Sequence, residues 1–117
     1  MNTQIIMTLN LPEDSILLNE GVLAALDRPR QVQILINKEE KMLLLRSCTV
    51  DDLQAVVAPE ERAMQFEISG RSFLKKIRKL VGWNDDRPRM CYGEYIPSHQ
   101  AIRFRLEDAQ PVEIEAR

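Results

Sequence analysis

Asn19-Glu20-Gly21-Val22-Leu23-Ala24-Ala25-Leu26 is echoed 51 places on by Gly70-Arg71-Ser72-Phe73-Leu74-Lys75-Lys76-Ile77. The echo puts Val22, Leu23 and Leu26 onto Phe73, Leu74 and Ile77, a spacing that gathers three apolar side chains on one helix face. Turn, strand, cap, helix, breaker and hairpin recur in the same order around both copies, the mark of a duplicated supersecondary unit. The chain is therefore expected to be one compact domain of two pseudo-repeats, 1–48 and 54–110.

Working outward from the first copy, Gln4–Leu9 alternates as a strand, and Asn10-Leu11-Pro12-Glu13-Asp14-Ser15 carries turn chemistry. Ile16–Leu18 is a short second strand. Asn19 is a good N-cap, Glu20 suits the positive end of the helix dipole, and Pro29 is placed to stop the helix. Val32, Ile34 and Ile36 then alternate with polar residues, Asn37–Glu40 turns the chain, and Met42–Arg46 returns as a strand. Thr49–Gln54 reads as a linker or one turn capped by Asp51 or Asp52.

In the second copy, Gln54–Ala58 and Met64–Ile68, joined by Pro59-Glu60-Glu61-Arg62, mirror the opening pair of strands. Ser69 is the expected cap of a longer helix. Its apolar stripe is Phe73, Leu74, Ile77, Leu80 and Val81, its polar side is basic, and Gly82 ends it. Arg89–Ile96 and Ala101–Leu106 form the second hairpin, with Ile102, Phe104 and Leu106 on one face and Arg103 and Arg105 on the other. After Gln110 the tail either adds an edge strand or frays. The expected fold class is α+β, with the two strand-strand-helix-hairpin units sharing one barrel-like core. Inside it belong Val22, Leu26, Ile34, Leu43, Leu45, Phe73, Ile77, Leu80, Ile102 and Phe104.

The chain has 117 residues, 44% apolar and 29% charged, ordinary values for a globular domain. No apolar run approaches the roughly 18 residues of a membrane span, and no signal-peptide pattern opens the chain, so a cytoplasmic location is the expectation. Cys48 and Cys91 read as buried free thiols, and a bridge between them requires the two units to stack in register. With only one histidine, His99, they compose no zinc pattern, so neither a metal nor a cofactor is expected. His99 lies at a hairpin tip, where an exposed turn residue is favoured over a catalytic base. Trp83, just past the second helix, reads as a plug on the core, and it and Tyr92 offer stacking surfaces if exposed. No glycine-rich phosphate loop or nucleophile relay is present. The carboxylate pairs Glu39-Glu40, Glu60-Glu61 and Asp85-Asp86 sit at turns, so an enzyme is not expected and no small-molecule substrate is identified.

The stretch Ile16-Leu17-Leu18-Asn19-Glu20-Gly21-Val22-Leu23-Ala24-Ala25-Leu26-Asp27-Arg28-Pro29 continues through Val32-Gln33-Ile34-Leu35-Ile36 and Glu40-Lys41-Met42-Leu43-Leu44-Leu45. It resembles the swapped-hairpin fold of the AbrB, MazE and SpoVT transcription-factor superfamily, and two such units in tandem resemble the MraZ arrangement. The resemblance implies DNA contact by basic residues near the strand turn and helix. The chain departs from the family's Gly-Arg pair before the second strand and Pro at its end. Asp14-Ser15 and Asn19 stand there in the first unit, Arg62-Ala63 and Ser69 in the second, and only Arg62 keeps the pattern. The first unit is thus poorly equipped for DNA.

Charge is unevenly divided. Met1–Phe66 holds six Lys or Arg against ten Asp or Glu, whereas Gly70–Arg105 holds nine against three. A small DNA-binding regulator is the favoured reading. Arg71, Lys75, Lys76, Arg78 and Lys79 would meet phosphates of double-stranded DNA, with Arg87, Arg89, Arg103 and Arg105 as auxiliary contacts. The bland alternative for the helix cations is a solvated face. A second class of function is an interaction or assembly protein of plasmid or prophage type, with the repeat as a dimerising scaffold. A homodimer is expected on either reading, through two-fold contacts or through acidic and basic halves of different copies.

Overall fold

The computed structural model describes residues 4–29, 31–47, 56–57 and 65–112, with the backbone alone at 56–57 and 65–66. Strands β1 (Ile6–Asn10) and β2 (Ser15–Asn19) form a hairpin closed by a 3-10 turn over Leu11–Glu13. Pro12 presets that turn, and Asp14 ends it in the left-handed region at φ 52°, a conformation Asp tolerates better than most residues. Helix α1 (Glu20–Ala25) follows at once. The Asn19 side chain accepts the Val22 N–H at 3.2 Å and the Ile6 N–H at 3.0 Å, and donates to the Gln4 carbonyl at 2.7 Å. One cap thereby ties α1 to β1.

The helix ends before Pro29 is reached. Asp27 and Arg28 turn left-handed at φ 59° and 45°, and their N–H groups return to the carbonyls of Ala24 and Leu23 at 3.0 and 2.8 Å. Those bonds satisfy carbonyls that the helix end leaves open. Strands β3 (Gln31–Asn37) and β4 (Met42–Ser47) make the second hairpin, followed by β5 (Val56–Val57), β6 (Gln65–Ser69) and α2 (Arg71–Val81). The third hairpin is β7 (Arg89–Ile96) with β8 (Ala101–Arg105), after which a 3-10 turn over Leu106–Asp108 leads to β9 (Gln110–Pro111).

The molecule is a mixed α+β fold in which the strands form one curled antiparallel sheet, ordered β5-β3-β4-β8-β7-β1-β2-β6, with β9 beside the start of β7. Its registers relate the two halves by an approximate two-fold. β2 meets β6 about Leu17 opposite Glu67, and β4 meets β8 about Leu44 opposite Arg103. β1 joins β7, while β5 joins β3. Each half thus lends a strand to the hairpin of the other, all within one chain.

This exchange corrects two expectations. Val56–Val57 does not pair with β6 among the described residues; it lies on β3, at the opposite end of the sheet from β6. Ser69 is the last residue of β6, opposite Ser15, so the N-cap of α2 falls to Gly70 and no side chain caps that helix. The offset of the repeat also grows along the chain. It pairs the helix starts as read, but the hairpins correspond as Met42–Arg46 to Ala101–Arg105, since α2 is longer than α1 and residues 82–88 intervene. The linker 49–54, the turn 59–62, Cys48 with its possible bridge, and the tail beyond Val112 lie outside the described residues.

Inward-facing side chains of both halves fill one core. Met7, Leu9, Ile16, Leu18, Val22, Leu43, Leu45, Ile77, Ile102, Phe104 and Leu106 are all buried. Leu26 is buried as expected, whereas Ile34, Phe73 and Leu80 sit at the core's edge and are only partly covered. The third hairpin differs from the second by one exchange in volume. Ile34 stands opposite Leu45 in β3–β4, but Gly93 stands opposite Phe104 in β7–β8. A Cβ on Gly93 would lie 2.6 Å from the Phe104 ring and 2.7 Å from Ile102. The glycine is the space the larger ring needs.

Candidate nucleic-acid interface

Helix α2 carries a cluster of exposed cations, Arg71, Lys75, Lys76 and Lys79. Its Leu74 and Ile77 are buried, and Phe73, Leu80 and Val81 pack against the core. At 100° per residue these five fall on one side, which leaves Arg71, Ser72, Lys75, Lys76 and Lys79 in solvent on the other. The helix start is pinned by the Gly70 N–H, which donates to the Asp14 carbonyl at 2.9 Å. Its end is closed by Gly82 at φ 85°, whose N–H meets the Arg78 carbonyl at 2.8 Å. Arg78 and Lys79 complement the negative end of the dipole. Arg71 opposes the positive end, and no acidic residue occupies the first turn.

The nine basic residues separate by whether the fold already neutralises them. Arg78 donates to Asp86 and, at 2.8 Å, to the Asp85 carbonyl. Arg103 is ion-paired with Glu94 across the β7–β8 ladder. Arg87 lies 3.9 Å from the Asp85 carboxylate. Arg89 is withdrawn from the surface: it is 8% exposed, bonded to Asp85 at 2.9 Å, and its guanidinium lies 4.5 Å from the centre of the Trp83 ring. Arg71, Lys75, Lys76, Lys79 and Arg105 have no carboxylate partner among the described residues.

Asp85 organises the segment between α2 and β7. It accepts the backbone N–H of Arg87 at 3.0 Å. That bond first, and then the charges of Arg89 and Arg87, hold its carboxyl below the usual value of 3.8 against the pull of desolvation. Trp83 packs partly buried on the core beneath Arg89, so it acts as the plug rather than as a stacking surface. Tyr92 is the opposite case, 55% exposed on the outer face of the sheet.

The first helix presents no such face. Glu20 at its start is paired with Arg28 at 2.9 Å, and Asp27 follows its end. His99 lies exposed in a 3-10 turn over Pro97–His99, at a hairpin tip as expected. Cys91 is buried, its thiol donating to the Arg105 carbonyl at 3.1 Å. Burial first, and the Asp108 charge second, push that thiol up to about 11. Among the described residues no group of three or more His, Cys, Asp or Glu is placed to hold a metal, and no helix is long and apolar enough to cross a membrane.

Three of the hollows among the described residues border these elements. One of about 440 Å³ lies between the end of α1 and the β7–β8 turn, lined by Leu26, Asp27, Pro29, Tyr95 and Gln100. A second, about 290 Å³, opens between the start of α2 and β3, with Ile34, Ile68 and Phe73 inside and Lys76 at its side. A third, about 140 Å³, lies beside Tyr92. Sequence reading located none of them, because each is bounded by segments distant in the chain. No family model, no curated protein and no solved structure matches this chain.

Proposed function

We propose that the chain is a small DNA-binding regulator that meets the phosphate backbone through Arg71, Lys75, Lys76 and Lys79 of α2, with Arg105 as a further contact. One observation carries the reading. Arg103 of the hairpin, Arg87 and Arg89 of the preceding segment and Arg78 of α2 are held by Glu94, Asp85 and Asp86, whereas Arg71, Lys75, Lys76 and Lys79 of α2 stand together with no carboxylate among the described residues to neutralise them. A protein gains phosphate affinity by releasing counterions from such unneutralised groups. Arg78, Arg87 and Arg103 hold their charges in local pairs and contribute less, and Arg89 is set aside by its burial.

The exchange of strands between halves supports the resemblance to the swapped-hairpin transcription-factor superfamily, whose tandem form implies two units closing on one another. It also lets a single chain complete its own sheet, so a homodimer is an added assembly rather than a condition of the fold. The test is a salt titration of binding to random-sequence duplex. Native chain is expected to bind at low salt, with log affinity falling steeply as salt rises. The Lys75→Ala/Lys76→Ala/Lys79→Ala variant should lose up to about 0.9 of slope per contact removed, roughly 2.7 for all three. A flat titration without binding at low salt overturns the reading. Salt-sensitive self-association without DNA binding favours the assembly protein instead.

A further inference from the structure

The ladder between β7 and the chain that follows β8 is interrupted at one place. Gly93 pairs with Phe104 on one side of the break and Met90 with Gln110 on the other, so Cys91 and Tyr92 face the 3-10 turn over Leu106–Asp108 instead of a strand. Leu106 anchors that turn, fully buried, with its N–H donating to the Lys41 carbonyl at 3.0 Å. Interruptions of this kind redirect side chains and are common beside binding sites. Here the interruption opens the cleft of about 140 Å³ bounded by Tyr92, Gly93, Glu94, Arg103, Arg105 and Asp108.

The contents of the cleft are mismatched in a way that specifies a ligand. Tyr92 offers an exposed aromatic face on the same side of the sheet as Glu94, Arg103 and Arg105, since Glu94 is opposite Arg103 and the others lie two places along. Arg103 and Glu94 satisfy each other. Arg105 and Asp108 do not: neither has an ion pair or side-chain hydrogen bond among the described residues. The cleft therefore combines a flat apolar surface, a free guanidinium and a free carboxylate in a space the size of one heterocycle.

We propose that this cleft binds a purine nucleotide, with guanine preferred. The base stacks on Tyr92, an interaction open to any base. An ionised carboxylate only accepts hydrogen bonds. Asp108 therefore selects the base edge with adjacent N–H donors, which guanine has at N1 and N2 and uracil lacks. Arg105 takes the phosphate. The proposal does not rest on DNA contact by α2, because no residue is shared with that face except the auxiliary Arg105.

The test is amide NMR titration of the native chain with GMP, AMP, UMP and guanosine. Saturable shifts at residues 92–94 and 103–108 are expected, with GMP tighter than AMP and UMP weakest. Tyr92→Ala should weaken GMP about tenfold or more, while Tyr92→Phe retains it. Arg105→Ala should weaken GMP but not guanosine, and Asp108→Asn should erase the preference for GMP over AMP. Lys75→Ala/Lys76→Ala/Lys79→Ala should leave GMP affinity unchanged, which separates this site from the helix face. A single-stranded oligonucleotide carrying one guanine distinguishes a base within a strand from a free nucleotide: tighter binding of either supports the site and names its source. No saturable shift with GMP at millimolar concentration, equal affinity for all three nucleotides, or indifference to Tyr92→Ala overturns it.

Discussion

The two hairpins β3–β4 and β7–β8 hold corresponding places about the approximate two-fold, and they fill the core differently. In the first, Ile34 and Leu45 share the inner face; in the second, Gly93 and Phe104 occupy the same positions. Close packing permits this only because the gain of a ring is matched by the loss of a side chain. The helices differ in the same spirit. α1 is six residues long, capped by Asn19 and bears no basic residue, whereas α2 is eleven residues long, has no side-chain cap and carries the cations. Symmetry governs the main strand pairings, while the halves differ in helix length, in the intervening segment 82–88, in side-chain volume and in surface charge.

The sharpest way to break the comparison is at the core. Gly93→Val should lower stability to unfolding by about 3 kcal/mol, because the new side chain collides with Phe104, Ile102 and Ile5. Combining Gly93→Ile with Phe104→Leu recreates the composition of the first hairpin and should recover most of what Gly93→Ile alone loses. Urea denaturation of the single and double variants measures the recovery. If the double variant is no better than the single, the two hairpins are not volume-equivalent.

A smaller effect distinguishes the two helix starts. Asn19→Ala removes a cap and the bonds to Ile6 of the first strand and to Gln4 just before it, and should cost about 2 kcal/mol. Ser69→Ala, at the corresponding junction, should change stability by less than about 0.5 kcal/mol, since Ser69 is exposed and caps nothing. Thermal melts of the two variants test the difference.

The smallest effect concerns Cys91. In a Cys48→Ser background it is the chain's single thiol, and it should react with a disulfide reagent at pH 8 only on unfolding. Its folded value of about 11 lies above the ordinary 9.0, so the native state holds the proton longer. The associated stability is fully present below pH 9 and is lost as pH rises toward 11. Asp108→Asn should lower the folded value, because the Asp108 charge is one of its two causes.

Much of the architecture was legible in local chemistry. Asn19 as a cap, Gly82 as a helix end, the alternation of Ile102 and Phe104 with Arg103 and Arg105, and the turn at Pro97–His99 depend on neighbours a few residues away, and each lies where its residue types place it. The candidate site was half legible. Amphipathic spacing identifies the exposed cations of α2, but nothing in the chain distinguishes Arg89, buried under Asp85 and against Trp83, from Arg105, left unpaired at the surface.

By itself the sequence located helices α1 and α2, the β3–β4 and β7–β8 hairpins and the side of α2 that faces solvent, because these follow from periodicity and turn residues acting over one or two turns. Only the tertiary structure decided which strand of one half joins which hairpin of the other, why Gly93 is a glycine, which arginines are spent on internal pairs, and that a cleft opens beside Tyr92. Those outcomes depend on groups far apart in the chain meeting in one sheet and competing for the same volume, ladder bonds and counter-charges.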